Sequence, residues 1–328
     1  MKALFIGGTG TISQAVSALA VEKGIELYLF NRGNSSRFAP KGAKIIEGNI
    51  RNFEDAKSKL EKYDFDVVVD FVAYEPEHIE NDIKLFKNKV DQYIFISSAW
   101  AYQKPQTDYL IDESTPLANP YWEYSQKKIA CEERLMKEYR KNAFPVTIVR
   151  PSHTYSKNKI PASLNSSKSW SLIDRMRKGK KILVHGDGSS LWTMTHNSDF
   201  AVGFVGLLGN MQAVGHAFQI TSDESLNWNQ IYNTIARAAG VKAELVHVSS
   251  EKIAQYDEKY RGSLLGDKAV SVVFDNSKIK RFVPEFKATT YFAEGIRKSI
   301  EWFENNPEFK EIDEDWNQLM DKIIEENE

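Results

Sequence analysis

Short apolar runs recur along the first two thirds of the chain, at residues 2–6, 26–30, 43–47, 67–71, 92–97, 146–150 and 217–220, each the length of a β-strand. Between them stand stretches such as 13–23 and 53–60, whose apolar residues fall on one face of a helix. Strands that are apolar throughout, separated by amphipathic helices, predict βαβ units and an α/β fold with a parallel sheet covered on both faces. The rhythm breaks at 154–191 into a Ser-, Asn- and Lys-rich loop, a helical pattern at 170–177 and the turn Gly186-Asp187-Gly188. It breaks again at 227–286, where helix 228–239 and strand 243–248 stand among less regular sequence. These segments predict a smaller lobe over the carboxyl ends of the strands. In the tail, 304–328, Ile312, Trp316, Leu319 and Ile323 keep helical spacing among many acids, which predicts a peripheral helix with a solvated acidic face.

The first strand runs directly into Gly7-Gly8-Thr9-Gly10, followed by Thr11, Ile12 and a helix. Glycines at a strand-to-helix turn let the backbone approach a pyrophosphate, which then sits at the positive helix N-terminus. The pattern predicts a Rossmann doubly wound parallel sheet binding a dinucleotide, with a smaller C-terminal substrate-binding lobe. Residues 1–155 and 192–226 would form the dinucleotide-binding domain, and 156–191 and 227–328 the lobe. Ser13 takes the place of the usual third glycine. At the end of the second strand, Asn31 and Arg32 stand where an NAD-preferring turn usually carries an acid. Arg32, helped by Ser35 and Arg37, suits a ribose 2′-phosphate, so NADP(H) is favoured, with NAD(H) as the alternative. Later strand ends add Asn49, Ile50, Phe71, Val72, Ala73, Ser97, Pro151 and Ser152 to the expected cofactor-binding set.

Tyr124 and Lys128 lie four apart on a helix and so share a face. A nearby ammonium favours a phenolate, which predicts a lowered Tyr124 pKa and a general acid or base there. Ser98 closes the strand 92–97, where its hydroxyl can meet a substrate oxygen. Glycine turn, Ser97-Ser98 and Tyr-x-x-x-Lys, in that order, resemble the extended short-chain dehydrogenase/reductase superfamily, in particular its nucleotide-sugar epimerase/dehydratase branch. The resemblance extends to Arg150-Pro151-Ser152-His153-Thr154-Tyr155 and to the run from Trp192 to Asp199. It implies a catalytic set of Ser98, Tyr124 and Lys128, with Tyr124 and Lys128 also meeting the cofactor, and a sugar-like substrate with a secondary alcohol or ketone. It further implies a homodimer. Trp192 stands where the branch commonly carries a diphosphate-binding arginine, which argues against a nucleotide on the substrate. Asn49 replaces a common aspartate, and Gln103 a common glycine. Leu191-Trp192-Thr193 with Thr195-His196, and Asn31-Arg32-Gly33, resemble a subgroup that includes chloroplast stem-loop-binding proteins, some of which bind RNA. The alternative reading is therefore a non-catalytic dinucleotide-binding regulatory or RNA-binding protein, disfavoured because Tyr124 and Lys128 are both present.

Composition narrows the partners. With 43 basic and 45 acidic side chains the net charge is −2, which provides no overall attraction to nucleic acid or anionic lipid. No apolar run approaches a bilayer span, and the N-terminal run is too short for a signal-peptide core. Cys131 is the single cysteine, which fits a reducing, cytoplasmic setting, and the six histidines lack metal-ligand spacing, so no metal is expected. His153 and His196 are expected to be structural, and Trp100, Tyr102, Trp122 and Trp192 to be core more often than stacking platforms. The basic cluster Arg175, Arg177, Lys178, Lys180 and Lys181 reads as a solvated helix end, and Asp112-Glu113 as a loop placed to gate the site.

Overall fold

The computed structural model describes residues 1–34 and 36–328. Seven strands form one parallel sheet: β1 Lys2–Ile6, β2 Glu26–Asn31, β3 Lys44–Glu47, β4 Val67–Asp70, β5 Gln92–Ile96, β6 Val146–Pro151 and β7 Ala217–Ile220. Their spatial order is β3-β2-β1-β4-β5-β6-β7, so the chain leaves β1 first to one side and then crosses to the other. In register, Leu4 lies between Tyr28 of β2 and Val68 of β4. Every run predicted to be a strand is one, with ends shifted by a residue or two. β4 stops at Asp70 and β5 at Ile96, which releases Phe71 and Ser97 into the loops at the carboxyl edge.

Alternate side chains of each strand enter separate cores. Ala3, Phe5, Leu27, Leu29, Val67, Val69 and Ile94 pack with Val16 and Ala20 of helix α1 (Ser13–Glu22) and with Phe200 and Phe204 of another helix, Asn197–Val205. Leu4, Ile6, Tyr28, Phe30, Val68, Tyr93 and Phe95 pack on the opposite face. There they meet Ala56 of α2 (Phe53–Leu60), Ile79 and Ile83 of α3 (Pro76–Phe86), and Cys131 and Leu135 of α4 (Glu123–Asn142). Burial on both faces is why the strands read as unbroken apolar runs.

A third apolar cluster, beside the sheet, gathers Trp170, Ile173, Ile182, Val184, Trp192, Trp228, Ile231, Tyr232, Ile296, Trp316 and Ile323. It draws on helices Ser171–Arg177, Trp228–Ala238, Phe292–Asn305 and Glu314–Glu325, and on strand Leu245–Val248, which pairs in parallel with Ile182–His185. The tail helix is therefore docked, with Trp316 and Ile323 buried and Leu319 half-buried. The acids of the 304–328 tail are not simply solvated. Arg175 and Lys180 bind Asp321, Arg177 binds Glu304, and Lys181 binds Glu328. The basic cluster expected to end in solvent is thus the counterpart of the acidic tail.

Candidate active site

The glycine turn owes its shape to packing that only glycine permits. Gly7 and Gly8 have φ of +101° and +93°, and a Cβ on Gly8 would lie 2.6 Å from Leu29 Cδ2. The turn is tied to α1 by side chains. Ser13 Oγ accepts from the Gly10 amide at 2.9 Å, Gln14 Nε2 donates to the Thr9 carbonyl, and Ser17 Oγ donates to the Gly8 carbonyl. Ser13 thus does more than fit where a third glycine is usual: it closes the loop.

Two neighbouring cavities open on this turn. One, of about 290 Å³, is lined by Gly7, Gly8, Thr9, Gly10, Thr11, Ile12 and Ser13, with Phe71, Val72, Tyr74 and Ile96. The other, of about 370 Å³, runs past Asn31, Arg32, Asn34, Asn49, Ile50 and Arg51, and shares Gly7, Thr9, Val72 and Tyr74 with the first. Asn31 Oδ1 accepts from the Gly33 amide, while its Nδ2 is buried without a hydrogen-bond partner among the described residues. A glycine cradle that a Cβ would fill, joined to an elongated polar cavity at the sheet's switch point, fits a dinucleotide. The structure adds Arg51, Tyr74 and Asn34 to the expected lining. Arg51 donates to the Val72 carbonyl and so links the loops after β3 and β4. Arg37, by contrast, lies over the Phe38 and Phe309 rings and lines a separate cavity, while Ser35 lies outside the described residues.

Lys128 is buried, and its ammonium donates to the Ala73 and Ile96 carbonyls, both at 2.6 Å. Its Nζ lies 5.8 Å from the Tyr124 ring centroid and 4.6 Å from that of Tyr74. Burial lowers the Lys128 pKa from the ordinary 10.5 to about 8. Burial, with Tyr74 and Cys131 nearby, instead pushes the Tyr124 phenol above its ordinary value. The expected lowering of the Tyr124 pKa by Lys128 is therefore reversed: desolvation dominates, and Tyr124 is held as the protonated phenol.

Around Tyr124 stand Trp100, Trp122 and Tyr74, with ring centroids 5.6, 5.5 and 6.0 Å from its own. Tyr102 and Trp192 are core residues. The Tyr102 hydroxyl donates to Gln219, and Trp192 stacks on Trp228. Ser98 is buried, and its Oγ accepts from the Trp100 amide at 3.2 Å. Ser97 turns inward, donating to Glu132, which also holds Arg150 through paired contacts at 2.7 and 3.0 Å. Asn119, unmarked by any sequence pattern, ties α4 to the short helical turns at 99–101 and 264–268 by donating to the Trp100 and Gly266 carbonyls and to Ser125 Oγ. Ala73 contributes its carbonyl to Lys128, while Pro151 and Ser152 are buried at the end of β6. His196 caps helix Asn197–Val205, accepting from the Ser198 amide. The loop 112–113 is anchored, because Glu113 Oε1 accepts from the Gln219 amide of β7 and Asp112 caps its own turn.

A doubly wound sheet with a glycine cradle at its switch point, and a Tyr/Lys pair beside Tyr74 of the cavity lining, defines a Rossmann-type dinucleotide-binding fold. The chain belongs to the NAD dependent epimerase/dehydratase family, whose model matches residues 3–221, and it is an enzyme of that kind. It is 28% identical over 265 residues to chloroplast stem-loop binding protein of 41 kDa b of Arabidopsis thaliana, covering 76% of this chain and 67% of that one. It is 23% identical over 300 residues to a trifunctional UDP-glucose 4,6-dehydratase/epimerase/reductase of the same plant, covering 84% of this chain but 41% of the plant protein's length. Among solved structures, an epimerase of Methanothermobacter thermautotrophicus superposes with a TM-score of 0.78 at 14% identity, covering 94% of each chain. The NAD complex of dTDP-glucose 4,6-dehydratase from Bacillus anthracis superposes with a TM-score of 0.75 at 19% identity, covering 94% of this chain and 98% of that one. At these identities the likeness is one of fold. No helix of the described residues is long and apolar enough to cross a membrane.

Proposed function

We propose that the chain binds a nicotinamide dinucleotide along the two joined cavities and uses Tyr124 as the acid or base in hydride exchange with a sugar-like alcohol or ketone. A bound nicotinamide supplies the hydride chemistry. The observation that carries the reading is that Tyr74, which lines both cavities, has its ring 6.0 Å from that of Tyr124 and 4.6 Å from Lys128 Nζ, while Lys128 donates to the carbonyl of Ile96, another lining residue. Tyr124, protonated through burial, gives its proton to a carbonyl oxygen, and takes one back in the reverse direction. Ser98, whose hydroxyl oxygen already accepts from Trp100, directs its own proton to that oxygen. Lys128 is fixed by two carbonyls at the cavity's edge, where a ribose hydroxyl would meet it. In this reading residues 1–155 and 192–226 carry the cofactor, and 156–191 and 227–328 shape the substrate end. Tyr124→Phe should lower turnover by roughly 10²–10⁴-fold while cofactor affinity holds. Full turnover in that variant would remove Tyr124 from the mechanism.

NADP(H) is the cofactor we favour. Asn31 takes the place of an acid at the end of β2, and exposed Arg32, with Arg51, lines the larger cavity. Arg32→Ala should weaken NADPH binding by about tenfold and leave NADH nearly unchanged, on the scale of one charge-assisted hydrogen bond. Tighter binding of NADH by the unaltered chain would sink the preference. A nucleic-acid reading draws support from the stem-loop binding relative. It requires salt-sensitive RNA retention together with no hydride transfer to a panel of carbonyl compounds.

A further inference from the structure

The turn that leads from β4 into α3 is held by two carboxyls sealed from water. Asp70, the last residue of β4, and Asp82, in the second turn of α3, are both 0% exposed. Asp70 Oδ1 accepts from the amides of Val72 and Ala73, and Asp82 Oδ2 accepts from the Tyr93 hydroxyl at 2.7 Å. The remaining oxygen of each, Asp70 Oδ2 and Asp82 Oδ1, is buried and meets no N–H or hydroxyl group among the described residues. The two carboxyls lie within side-chain hydrogen-bonding reach of each other. Were both ionised, they would repel, and each would keep a buried oxygen without a partner. One proton between them satisfies both oxygens at once. Asp82 is the acid that keeps it. Burial first, and then the neighbouring Asp70, push its pKa well above the carboxylate range, against the smaller opposing effects of Tyr93 and Arg51. Asp70 is the acceptor, already receiving two amide protons. Tyr93, raised by burial and by both acids, stays a phenol and a donor, and Lys128 of α4 feels Asp70 as an opposite charge.

The turn so held forms part of the wall of both cavities. Val72 lines each of them, and its carbonyl accepts from Arg51, while the Ala73 carbonyl accepts from Lys128. The amides of these same two residues are fixed by Asp70. Neither acid lines a cavity, so any effect on a ligand passes through the turn. We propose that Asp82 is a neutral carboxylic acid that donates to Asp70, and that the two are positioning residues, setting Val72 against the dinucleotide and the Ala73 carbonyl against Lys128. The proposal rests on the reading of the joined cavities as the dinucleotide site.

Infrared difference spectra and dinucleotide titrations of the full chain test it together. At pH 8 the spectrum of the unaltered chain minus that of Asp82→Asn should contain a protonated-carboxyl C=O band. Absence of that band means that Asp82 is ionised and overturns the proposal. In fluorescence titrations with NADPH, and with NADH in parallel, Asp82→Ala should weaken binding by about tenfold, the scale of one hydrogen bond to a charged group. Asp82→Asn, whose amide N–H stands in for the acid's O–H, should recover most of that loss. Asp82→Leu, of similar bulk but with no donor, should not. Recovery by Leu as full as by Asn would mean that filled space suffices, and undiminished binding in a folded Asp82→Ala would mean that the pair positions nothing; either overturns the proposal. Should the Ala and Leu variants not fold, the Asn variant decides, since a tenfold loss there contradicts a donor role for Asp82. Binding of neither dinucleotide by the unaltered chain removes the dinucleotide reading and the positioning role with it, while the infrared band judges the shared proton by itself.

Discussion

At the residue scale, Lys128 shows how burial and function are set against each other. The ammonium is held by two carbonyls yet is removed from water, and desolvation prevails, bringing its pKa down to about 8. A lysine whose folded pKa lies below its unfolded value binds fewer protons when folded, so stability rises with pH between the two values. Relative to Lys128→Met, the unaltered chain should therefore gain stability as pH climbs from about 8 toward 10.5, seen as a rise of its urea midpoint relative to the variant's between pH 7 and pH 9.5. A pH-independent gap would place the true pKa near its ordinary value. The Tyr-x-x-x-Lys spacing was readable in the sequence because helix periodicity alone puts the two on one face. The rise of the Tyr124 pKa was not, since it depends first on burial and then on Tyr74 and Cys131. Arg51 and Tyr74 likewise escaped notice: they follow strands as many residues do, and only the joining of loops brings them to the cavity.

At the scale of elements, α3 and α4 are clamped by Glu138, whose carboxylate accepts from Lys87 at 2.9 Å, Asn142 at 2.7 Å and Arg134 at 2.9 Å. Lys87 first, then Arg134 and Asn142, hold its pKa down from 4.5 to about 2. The depressed value means stability that is present above 4.5 and lost as pH falls toward 2. Glu138→Gln should destabilise the chain at pH 7 by about 1–3 kcal/mol, the range for a buried hydrogen-bonded charge, and the gap should narrow at pH 3.5. Denaturant unfolding at the two pH values checks this, and an unchanged gap would contradict it. The strands themselves were legible from the sequence because burial on both faces leaves a local mark. Their ends were less so: whether Phe71 and Ser97 close a strand or open a loop is decided by which neighbour supplies the last hydrogen bond.

At the scale of the whole molecule, the tail secures the lobe. Arg175, 2% exposed, reaches Asp321 at 2.6 Å and the Lys181 carbonyl at 2.7 Å, and around it Lys180, Arg177 and Lys181 take up acids from the last 25 residues. Arg175→Met keeps volume but leaves Asp321 without its buried partner. It should lower stability by about 1–3 kcal/mol, read from the urea midpoint and from earlier exposure of Trp316. No change would mean that apolar packing alone holds the helix. Separately, the five basic residues and the acidic tail each suggested a solvated surface, yet four of the five, all but Lys178, pair with tail acids 127 to 147 positions away.

What the amino-acid sequence determined unaided was whatever repeats or spaces itself locally: seven strands, all but the edge strand β3 buried on both faces, the glycine turn, the Tyr124–Lys128 face. Burial and helix geometry act over a few residues and leave periodic traces. Tertiary structure alone decided the charges, because electrostatic balance depends on which distant segments meet. It sent Ser97 to Glu132 and Arg37 to Phe309, matched Arg175, Arg177, Lys180 and Lys181 to acids of the tail, and set Lys268 beside Asp267.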